Sequence, residues 1–413
     1  MSANRMAYIV PQFPGQTHGF FWREVVELQA CGVEPILFST SRPHDRLISH
    51  VWSQEAIGRT TYLATYRLSA LLGALFRLPY RSVIGELLSM GANDRLYFLR
   101  DVAICAPAAL RLKQSCRQHG IEHVHVHSCG RAALIAALAF HMYGIPYSLT
   151  LHGHPGDYGV AQRFKWKNAK FVSVVSKALM AFLPELLGNA LPARLPVRPM
   201  GVDTARFRRN SPYLPAAKGE TLRLFCCGRL NLGKGHQDLL RAVRILLDEG
   251  RSVNLDIAGE DDSGGNGYRL VLESLMAELG LSDCVNLLGA VSGDEVRAHL
   301  LRAHAFVLAS WYEGIGVAYM EAMSCEVPII ATATGGVPEL ITDGIHGILV
   351  PVKNPEVLAK AVSSLADDPE RAIRIARAGR ERVVSEFDSR LGAEMLVEEI
   401  WGRTVAEASR TKS

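Results

Sequence analysis

Two glutamates eight residues apart stand in the densest chemical stretch of the chain, which reads EGIGVAYME from Glu313 to Glu321. Glu313 is predicted to end a strand, and Gly314 and Gly316 after it let the main chain approach a ligand. A helix then begins, and its first amides lack partners within the helix, so they favour an anion. Eight residues are little more than two helical turns, so both carboxylates can face one cleft wall and accept the hydroxyls of a ribose or a sugar ring. The alternative is a helix-capping acid and a surface glutamate.

A second group of charged residues lies in GRLNLGKG, from Gly228 to Gly235. Arg229 and Lys234 are predicted to follow a strand and precede a helix, where cations and helix amides together suit a diphosphate. The spacing nearly forms a phosphate-binding P-loop, but Gly235 stands where a Ser or Thr would bind magnesium. The segment therefore predicts a diphosphate clamp without a built-in metal ligand, and a nucleotide hydrolase is disfavoured.

Histidines alternate along one predicted strand of the first half. His123, His125 and His127 share one face, and alternating histidines can bind a metal. A third ligand at a defined spacing is missing, so we expect no metal site and no metal cofactor. His152 follows the next strand, in TLHGH, and is the better candidate for contact with a substrate in the cleft.

The elements that must position these residues alternate between strand and helix. Apolar segments of strand length are each followed by a helical period, in residues 7–176 and again in residues 222–332. Such alternation predicts parallel sheets, so the expected fold class is α/β with two doubly wound domains. Residues 204–220, which contain arginines and prolines, have the composition of a linker. We place the boundary there, with domains at 1–205 and 206–387 and a ligand cleft between the carboxyl ends of their strands.

Composition excludes several classes of protein. The 413 residues are 48% hydrophobic and 21% charged, which is typical of a folded protein with more than one domain. No apolar run approaches the roughly 18 residues that span a bilayer, and the N-terminus lacks the pattern of a secretory signal. The eight cysteines include no Cys-x-x-Cys pair, which disfavours a zinc ribbon or a disulfide framework. We therefore expect a cytoplasmic protein.

Charge is distributed unevenly along the chain. Residues 1–205 contain 21 Lys and Arg against 12 Asp and Glu, whereas residues 206–413 contain 24 against 29. The segment from Ala56 to Gly85 has no acidic residue, and its arginines, interleaved with tyrosines and leucines, are Arg59, Arg67, Arg77 and Arg81. Such a segment can lie on an anionic membrane surface, and the alternative is a solvated basic face over an ordinary core helix. A basic cluster at 163–170 has no recognition motif beside it, so we expect no nucleic-acid partner.

The two charged motifs together resemble the retaining glycosyltransferases of family 4, which have the two-domain GT-B fold. Glu313 and Glu321 match the Glu-x7-Glu pair of that family, and TGGVPELI and GILVPVKNPEVLAKAV continue its pattern, so the resemblance covers most of the chain. The resemblance implies that Arg229 and Lys234 bind the diphosphate of a nucleotide sugar. It also implies that Glu313 contacts the donor sugar, that Glu321 holds the ribose, and that His152 lies beside the sugar. The main-chain amides that it assigns to the donor are those of Gly314, Ile315, Gly316 and Val317.

The N-terminal segment resembles the opening of bacterial exopolysaccharide glycosyltransferases of the colanic-acid type within the same family. FPGQTHGFF stands where that subgroup has FPxxSET. The residues that the resemblance assigns to the acceptor side are Gly15, Gln16 and Thr17. The sequence departs from the subgroup at His18, Ile315 and Glu326, among others, which affects the assignment of the acceptor rather than that of the donor. In the family the last helix, here about 388–413, crosses back onto the first domain.

The resulting expectation is a hexosyltransferase that uses a nucleotide-sugar donor, needs no cofactor and transfers to a hydroxyl acceptor, with retention implied by the resemblance alone. The resemblance further implies a polyprenyl-diphosphate-linked glycan as acceptor, in the assembly of a bacterial surface polysaccharide, at the inner face of the cell membrane. Several alternatives stay open. They are a glycoside hydrolase that uses Glu313 and Glu321 as acid and base, an epimerase, a non-catalytic sugar-binding module, and a glycosyltransferase for a soluble small-molecule acceptor.

Overall fold

The computed structural model describes residues 4–43, 48–64, 73–74 and 76–402. It contains two six-stranded sheets, one in each half of the chain, and every strand pairing within them is parallel. The predicted fold class, α/β with two doubly wound domains, is therefore confirmed. Parallel pairing requires a crossover between successive strands, and the helices supply it.

The first sheet has the order β3-β2-β1-β4-β5-β6. Ala7 in its central strand β1 pairs with Ile36 on one side and with Val124 on the other. Successive strands are therefore added on one side of β1 up to β3 and on its other side from β4 onward. At this reversal point the loops that leave β1 and β4 diverge and open a crevice at the carboxyl edge of the sheet. Strands β1 to β6 are Asn4–Val10, Val33–Ser39, Thr61–Tyr62, His123–His127, Tyr147–Leu151 and Val172–Val174.

The second sheet repeats the same arrangement, with the order β12-β11-β10-β7-β8-β9. Its reversal lies between β7 and β10, where Leu224 pairs with Ala305. A second crevice at a carboxyl edge follows from the same rule. Strands β7 to β12 are Leu222–Cys227, Val253–Ala258, Val285–Gly289, Ala305–Leu308, Ile329–Thr332 and Ile348–Val350.

Helices connect the strands in both halves. The helices of the first half are Gly19–Ala30, Ser53–Arg59, Tyr80–Leu88, Ala92–His119, Arg131–Tyr143, Gln162–Trp166, Lys177–Met180 and Leu183–Leu187. Those of the second half are His236–Asp248, Tyr268–Glu278, Gly293–Arg302, Val317–Ser324, Val337–Leu340, Pro355–Ala366, Pro369–Glu386 and Arg390–Trp401. Short 3₁₀ turns occupy Pro155–Tyr158, Gly188–Ala190 and Leu232–Lys234. None of the helices in the described ranges combines the length and the apolar character needed to cross a membrane.

Local sequence signals account for several helix ends. The helix Arg131–Tyr143 is rich in alanine and leucine, and it stops at Gly144, which adopts φ 73°. A residue with a Cβ is disfavoured in that left-handed conformation. The helix Gly293–Arg302 begins with a capping box, in which Ser292 and Glu295 each bind the other's main-chain amide.

The segment without acidic residues, 56–85, is divided among several elements. It includes most of the helix Ser53–Arg59, the edge strand Thr61–Tyr62 and the first two turns of the helix Tyr80–Leu88. Arg67 lies outside the described residues. The described part of the segment is therefore not one amphipathic helix.

The last helix of the chain packs on the first half. Arg390–Trp401 contacts the helix Gly19–Ala30, and Leu396 and Ile400 share a buried cluster with Tyr8 of the central strand. Lys170 donates a hydrogen bond to the carbonyl of Ile400 at 2.7 Å. The first sheet is thus covered partly by the chain's own end.

Two segments carry the chain between the halves, and main-chain hydrogen bonds tie them together. The amide of Val202 donates to the carbonyl of Phe387, and the amide of Ser389 donates to the carbonyl of Val202, each at 2.9 Å. Gly201 adopts φ 71°, and a Cβ there would lie 2.7 Å from the Phe387 carbonyl oxygen. The close crossing therefore requires glycine at this position.

Candidate functional site

The carboxyl edges of the two sheets share one cavity of about 330 Å³. Its walls come from segments after β1, β2, β5 and β6 in the first half and after β7, β8, β9 and β10 in the second. Both reversal points therefore open into it, as expected for doubly wound sheets. The sequence-predicted residues on its walls are Gln16, Thr17, His152, Arg229, Lys234, Glu313, Gly314, Ile315, Gly316, Val317 and Glu321. Gly15 does not line the cavity: it is buried, and its carbonyl accepts a hydrogen bond from the amide of His18 at 3.0 Å.

The loop after β10 presents main chain to the cavity. A Cβ at Gly314 would lie 2.8 Å from the carbonyl oxygen of His152, so this loop packs against the first half without side chains between them. A Cβ at Gly316, which adopts φ 85°, would lie 2.3 Å from the ring of Tyr319. The helix that begins at Val317 follows directly, and its first two residues line the cavity. The helix thus begins at the cavity wall, where its first main-chain amides have no hydrogen-bond partners within the helix.

The loop after β7 is fixed by the neighbouring strand end. Gly235 has φ 66°, and a Cβ there would lie only 1.8 Å from the carbonyl oxygen of Ala309. A Ser or Thr of a magnesium-binding P-loop does not fit at this point. Arg229, in the same loop, is half exposed, and its guanidinium lies 3.7 Å from the carboxylate of Asp262. It is therefore available to a ligand at low cost.

Both predicted carboxylates are paired with cations. Glu313 forms an ion pair with Lys234 of the loop after β7. Glu321 accepts a hydrogen bond at 2.7 Å from Arg23, which belongs to the first half, and these two side chains are only 16% and 11% exposed. The first pair joins two loops of one half, and the second pair joins the two halves.

Two of the alternating histidines are interior hydrogen-bonding groups. His123 Nε2 and His125 Nδ1 each lie 2.8 Å from Ser148 Oγ, and His125 Nε2 lies 3.0 Å from Thr150 Oγ1. Burial lowers the pKa of His123 to about 3 and the pKa of His125 well below its usual value. Both rings are therefore neutral near pH 7.

The third alternating histidine links the interior to the cavity. His127 Nδ1 lies 3.1 Å from Nε2 of His152, and His127 Nε2 lies 3.0 Å from a carboxylate oxygen of Glu24. Burial lowers the pKa of both His127 and His152 to about 3. His152 can therefore orient a hydroxyl near pH 7, but it adds no positive charge to the cavity.

A third potential metal ligand does join the histidines in the fold. In the part of the chain that the structure describes, Glu24, His125 and His127 have candidate ligand atoms within 4.8 Å of one another. Hydroxyl groups contact both ring nitrogens of His125, and those of His127 face Glu24 and His152. His125 is thus satisfied by hydrogen bonds, whereas His127 Nε2 lies 3.0 Å from Glu24 without forming one. The absence of a metal cofactor stays a prediction.

The loop after β1 bridges the halves. The side-chain amide of Gln16 donates to the main-chain carbonyl of Glu260, and its oxygen accepts from the Glu260 amide, each at 2.8 Å. Glu339 makes a similar bridge, because its carboxylate accepts from the amides of Lys177 and Ala178 at 2.8 and 2.7 Å. Gln16 is thus engaged in holding the cleft closed, whereas Thr17 is exposed on the cavity wall.

Sequence reasoning missed Arg23, Glu24 and the glycines under the loop after β10. A Cβ at Gly336 would lie 2.0 Å from the Gly314 carbonyl oxygen. Burial of Glu24 could have been predicted from the sequence, because this residue falls on the apolar face of its helix. The other buried residues of that face are Phe21, Val25 and Leu28. The pairing of Arg23 could not have been predicted, since its partner Glu321 belongs to the other half.

Two family models match the chain. The model described as Glycosyl transferases group 1 matches residues 214–382, and the model described as Glycosyltransferase Family 4 matches residues 92–206. The two matches fall in the two halves that the sheets define.

Several curated proteins are similar in sequence to this chain. A GDP-mannose-dependent alpha-(1-6)-phosphatidylinositol monomannoside mannosyltransferase of Mycolicibacterium smegmatis is 28% identical over 72% of this chain and 81% of its own length. A glycogen synthase of Mycobacterium tuberculosis is 30% identical over 68% of this chain and 69% of its own length. The amylovoran biosynthesis glycosyltransferase AmsK of Erwinia amylovora is 29% identical over 52% of each chain.

Solved structures share the fold over nearly the whole chain. A sucrose-phosphate synthase from Thermosynechococcus elongatus has a TM-score of 0.73 at 20% identity and covers 97% of this chain and 99% of its own. HepE from Anabaena, solved with UDP and glucose, has a TM-score of 0.73 at 16% identity and covers 97% of this chain and all of its own. Both halves and their relative placement thus recur in these neighbours.

We expect Arg23 and Glu321 to contribute to the stability of the fold as a coupled pair. Arg23→Met leaves a carboxylate of low exposure without its cation, and we expect the variant to lose about 1–3 kcal/mol of unfolding free energy. Glu321→Gln leaves the guanidinium unpaired, with a similar loss. The double variant should lose less than the sum of the two, as a double-mutant cycle by chemical denaturation would measure.

An exposed ion pair of the second half provides the control for this cycle. Arg251 and Asp367 lie 2.5 Å apart, and Asp367 is 64% exposed. A cycle with Arg251→Met and Asp367→Asn should give a coupling below about 0.5 kcal/mol. Additive losses at Arg23 and Glu321 would show that the pair does not join the halves energetically.

Proposed function

The chain belongs to the family 4 glycosyltransferases with the GT-B fold, and from that premise we propose that it transfers a hexose with retention to a lipid-linked acceptor. It is a hexosyltransferase that takes its sugar from a nucleotide donor. The proposal adds retention, the acceptor and a role in assembling a bacterial surface polysaccharide. One observation carries it: a single cavity between the halves brings together the paired cations, the glycine-rich loop and both glutamates.

Donor binding follows from the charges around the cavity. Arg229 and Lys234 would bind the diphosphate, together with the amides that begin at Val317. Lys234 already pairs with Glu313, so an incoming diphosphate shares a cation that is held in place rather than recruiting a mobile one. Glu321 would accept the ribose hydroxyls while Arg23 holds its carboxylate in orientation.

The chemical step needs stabilisation of two opposite charges. As the bond between the anomeric carbon and the diphosphate oxygen breaks, positive charge grows on the ring and negative charge on the departing diphosphate. The acceptor hydroxyl forms its bond on the same face of the ring, and its proton passes to the departing phosphate oxygen. Arg229 and Lys234 stabilise the diphosphate, Glu313 lies on the sugar side, and the closed cleft excludes water.

The pairing of both glutamates argues against a glycoside hydrolase. Such an enzyme needs one of its two carboxyl groups protonated as a general acid. Here each carboxylate is held in an ion pair, Glu313 with Lys234 and Glu321 with Arg23, so neither carboxyl group is free to serve as that acid. A hydrolase also has no use for two cations beside a helix N-terminus.

Proximity to a membrane is supported by an exposed apolar surface in the first half, which we call the apolar ridge. Tyr80, Ile84 and Leu88 are exposed at intervals of four residues on one helix, and Leu88 is 73% exposed. Phe76, just before that helix, is 87% exposed, and Leu96 after it is 72% exposed. Exposed apolar side chains on one face of a helix are typical of a contact surface. The basic residues beside it are Arg77, Arg81 and Arg95, so we propose that it contacts anionic lipid.

The diphosphate clamp is tested by thermal stability. A nucleoside diphosphate, either UDP or GDP, should raise the melting temperature, and Arg229→Ala and Lys234→Ala should each weaken its binding about 10- to 100-fold. Charge-assisted hydrogen bonds are worth about 1.5–3 kcal/mol, which corresponds to that range. Arg251→Ala and Lys360→Ala, at surface positions away from the cavity, are the matched controls. Undiminished binding in both clamp variants would refute the clamp.

Independence from metals is tested with a chelator. The two acidic residues that face the donor are engaged by Lys234 and Arg23, and Gly235 offers no hydroxyl to a cation. We therefore expect sugar transfer, and slow hydrolysis of the nucleotide sugar, to continue in excess EDTA at an unchanged rate. Loss of turnover that manganese or magnesium restores would overturn this expectation.

The membrane contact is tested by sedimentation with vesicles. Each basic residue near an anionic surface contributes about 1 kcal/mol and is screened by salt. Replacing Arg67, Arg77 and Arg81 together by Gln should therefore abolish binding to anionic vesicles while leaving donor hydrolysis intact. The control replaces three exposed basic residues of the second half, Lys360, Arg374 and Arg377. Equal binding to neutral and anionic vesicles, or binding to neither, would favour a soluble acceptor.

A further inference from the structure

Three polar residues in succession are buried at the start of one helix of the second half. His236, Gln237 and Asp238 form the first turn of the helix His236–Asp248, and they are 0%, 8% and 6% exposed. Burying polar side chains costs free energy unless hydrogen bonds compensate, so packing alone does not explain this run. The helix directly follows the loop after β7, which carries Arg229. The three side chains therefore lie next to the cavity wall.

The first of these residues, His236, is bound to the main chain of Arg229. Its Nε2 atom lies 3.2 Å from the carbonyl oxygen of Arg229. A carbonyl oxygen can only accept, so the proton of the ring lies on Nε2. Burial lowers the pKa of His236 to about 4, and the ring is therefore neutral near pH 7 with a lone pair on Nδ1. The Sγ atom of Cys226 lies 3.6 Å from Nδ1, and because burial raises the pKa of this thiol, it stays protonated and can donate.

The guanidinium of Arg229 has little else to place it. The side chain is half exposed, and its ion-pair contact is with Asp262 at 3.7 Å, an exposed carboxylate. The main chain around it is better fixed, since the amides of Gly228 and Leu230 donate to carbonyls at the end of β8 and just after it, at 2.9 and 3.2 Å. The bond from His236 completes this arrangement at Arg229 itself. The position of the guanidinium thus depends on where the main chain starts it.

We propose that His236 is a positioning residue for the diphosphate clamp, because its Nε2 atom, by donating to the carbonyl of Arg229, holds the main chain from which the guanidinium reaches the diphosphate. The role of Arg229 rests on the proposed function, whereas the tautomer of His236 does not. His236 is fully buried and is not among the residues that line the cavity. Its effect on a ligand therefore passes through Arg229.

Two substitutions of His236 differ in whether they keep the bond to Arg229. In His236→Asn the side-chain amide nitrogen reaches only about as far as Nδ1, so it faces Cys226 and leaves the Arg229 carbonyl without this donor. In His236→Gln the amide nitrogen reaches about as far as Nε2 and can restore the donor. Both variants place an uncharged amide in the same site. The matched control is His304→Asn, which alters a buried histidine that accepts from the amide of Arg223 near the opposite end of β7.

The first readout is the ring nitrogen spectrum of histidine-labelled protein without ligand, with the His236 signals assigned by their loss in His236→Asn. We expect a neutral His236 with its proton on Nε2 near pH 7. Cys226→Ala should shift the Nδ1 signal and leave the proton on Nε2, because the Arg229 carbonyl cannot donate. A wild-type His236 that is charged, or protonated on Nδ1, would overturn the proposal whatever the enzyme transfers.

The second readout is the affinity for a nucleoside diphosphate, either UDP or GDP, measured by titration calorimetry. His236→Asn should weaken binding about threefold to tenfold, the equivalent of one lost hydrogen bond. His236→Gln and His304→Asn should bind within about twofold of wild type. Unchanged affinity in His236→Asn, or an equal loss in His236→Gln, would overturn the proposal.

Combination with the clamp variants separates positioning from a general loosening of the loop. In the Arg229→Ala background, His236→Asn should change the affinity by no more than about twofold, because the guanidinium that His236 positions is gone. With Lys234→Ala the losses should add, since Lys234 is held separately by its ion pair with Glu313. Equal coupling to both cations would indicate a loosened loop and overturn the proposal. An Arg229→Ala variant that binds as well as wild type would instead refute the clamp of the proposed function, and the tautomer measurement would still stand.

Discussion

The cleft depends on one constraint: loops at the carboxyl edge of the second sheet pack with their main chains in direct contact. At four glycines a Cβ would lie within 2.0 Å of a carbonyl oxygen, which no side chain can occupy. The glycine and carbonyl pairs are Gly235 with Ala309, Gly259 with Gly228, Gly335 with Glu313, and Gly336 with Gly314. Loops packed this closely cannot shift independently, so Lys234 and Glu313 are held opposite each other. The ion pair and the cavity wall are consequences of that packing.

The two halves contribute different chemistry to the cavity. The second half supplies Arg229, Lys234 and Glu313 on loops fixed by glycine contacts, and Glu321 on the helix that follows. The first half supplies Arg23, whose charge is paired with Glu321, and His152, whose ring is neutral because burial lowers its pKa to about 3. A cation placed there would oppose the positive charge that grows on a departing sugar, whereas a neutral acceptor orients a hydroxyl without that cost. Burial of the histidine network is thus compatible with the proposed reaction.

The fold class could be predicted from the sequence because alternation of strands and helices is a local pattern. The helix Ala92–His119 was not predicted, and Pro107 inside it interrupts the usual helical signal. Glu313 and Glu321 could be singled out because their partners in the motif lie within a few residues of them. Arg23 could not, since its contact with Glu321 joins residues almost 300 positions apart in the chain. The need for glycine at position 235 could not be predicted either, because the carbonyl group that it contacts belongs to Ala309, at the end of a different strand.

Several of the contacts that close the cleft are polar, and these bear on how substrates enter. Gln16 bonds to the main chain of Glu260, Arg23 pairs with Glu321, and Glu339 accepts from amides of the first half. A typical hydrogen bond contributes about 0.5–1.5 kcal/mol because water replaces it when it breaks. An apolar interface of similar extent would expose apolar surface to water when the cleft opens, so opening would cost more free energy. Since Val202 and Ser389 tie the two crossing segments together, opening at the cleft can occur about that crossing while the core of each half stays intact.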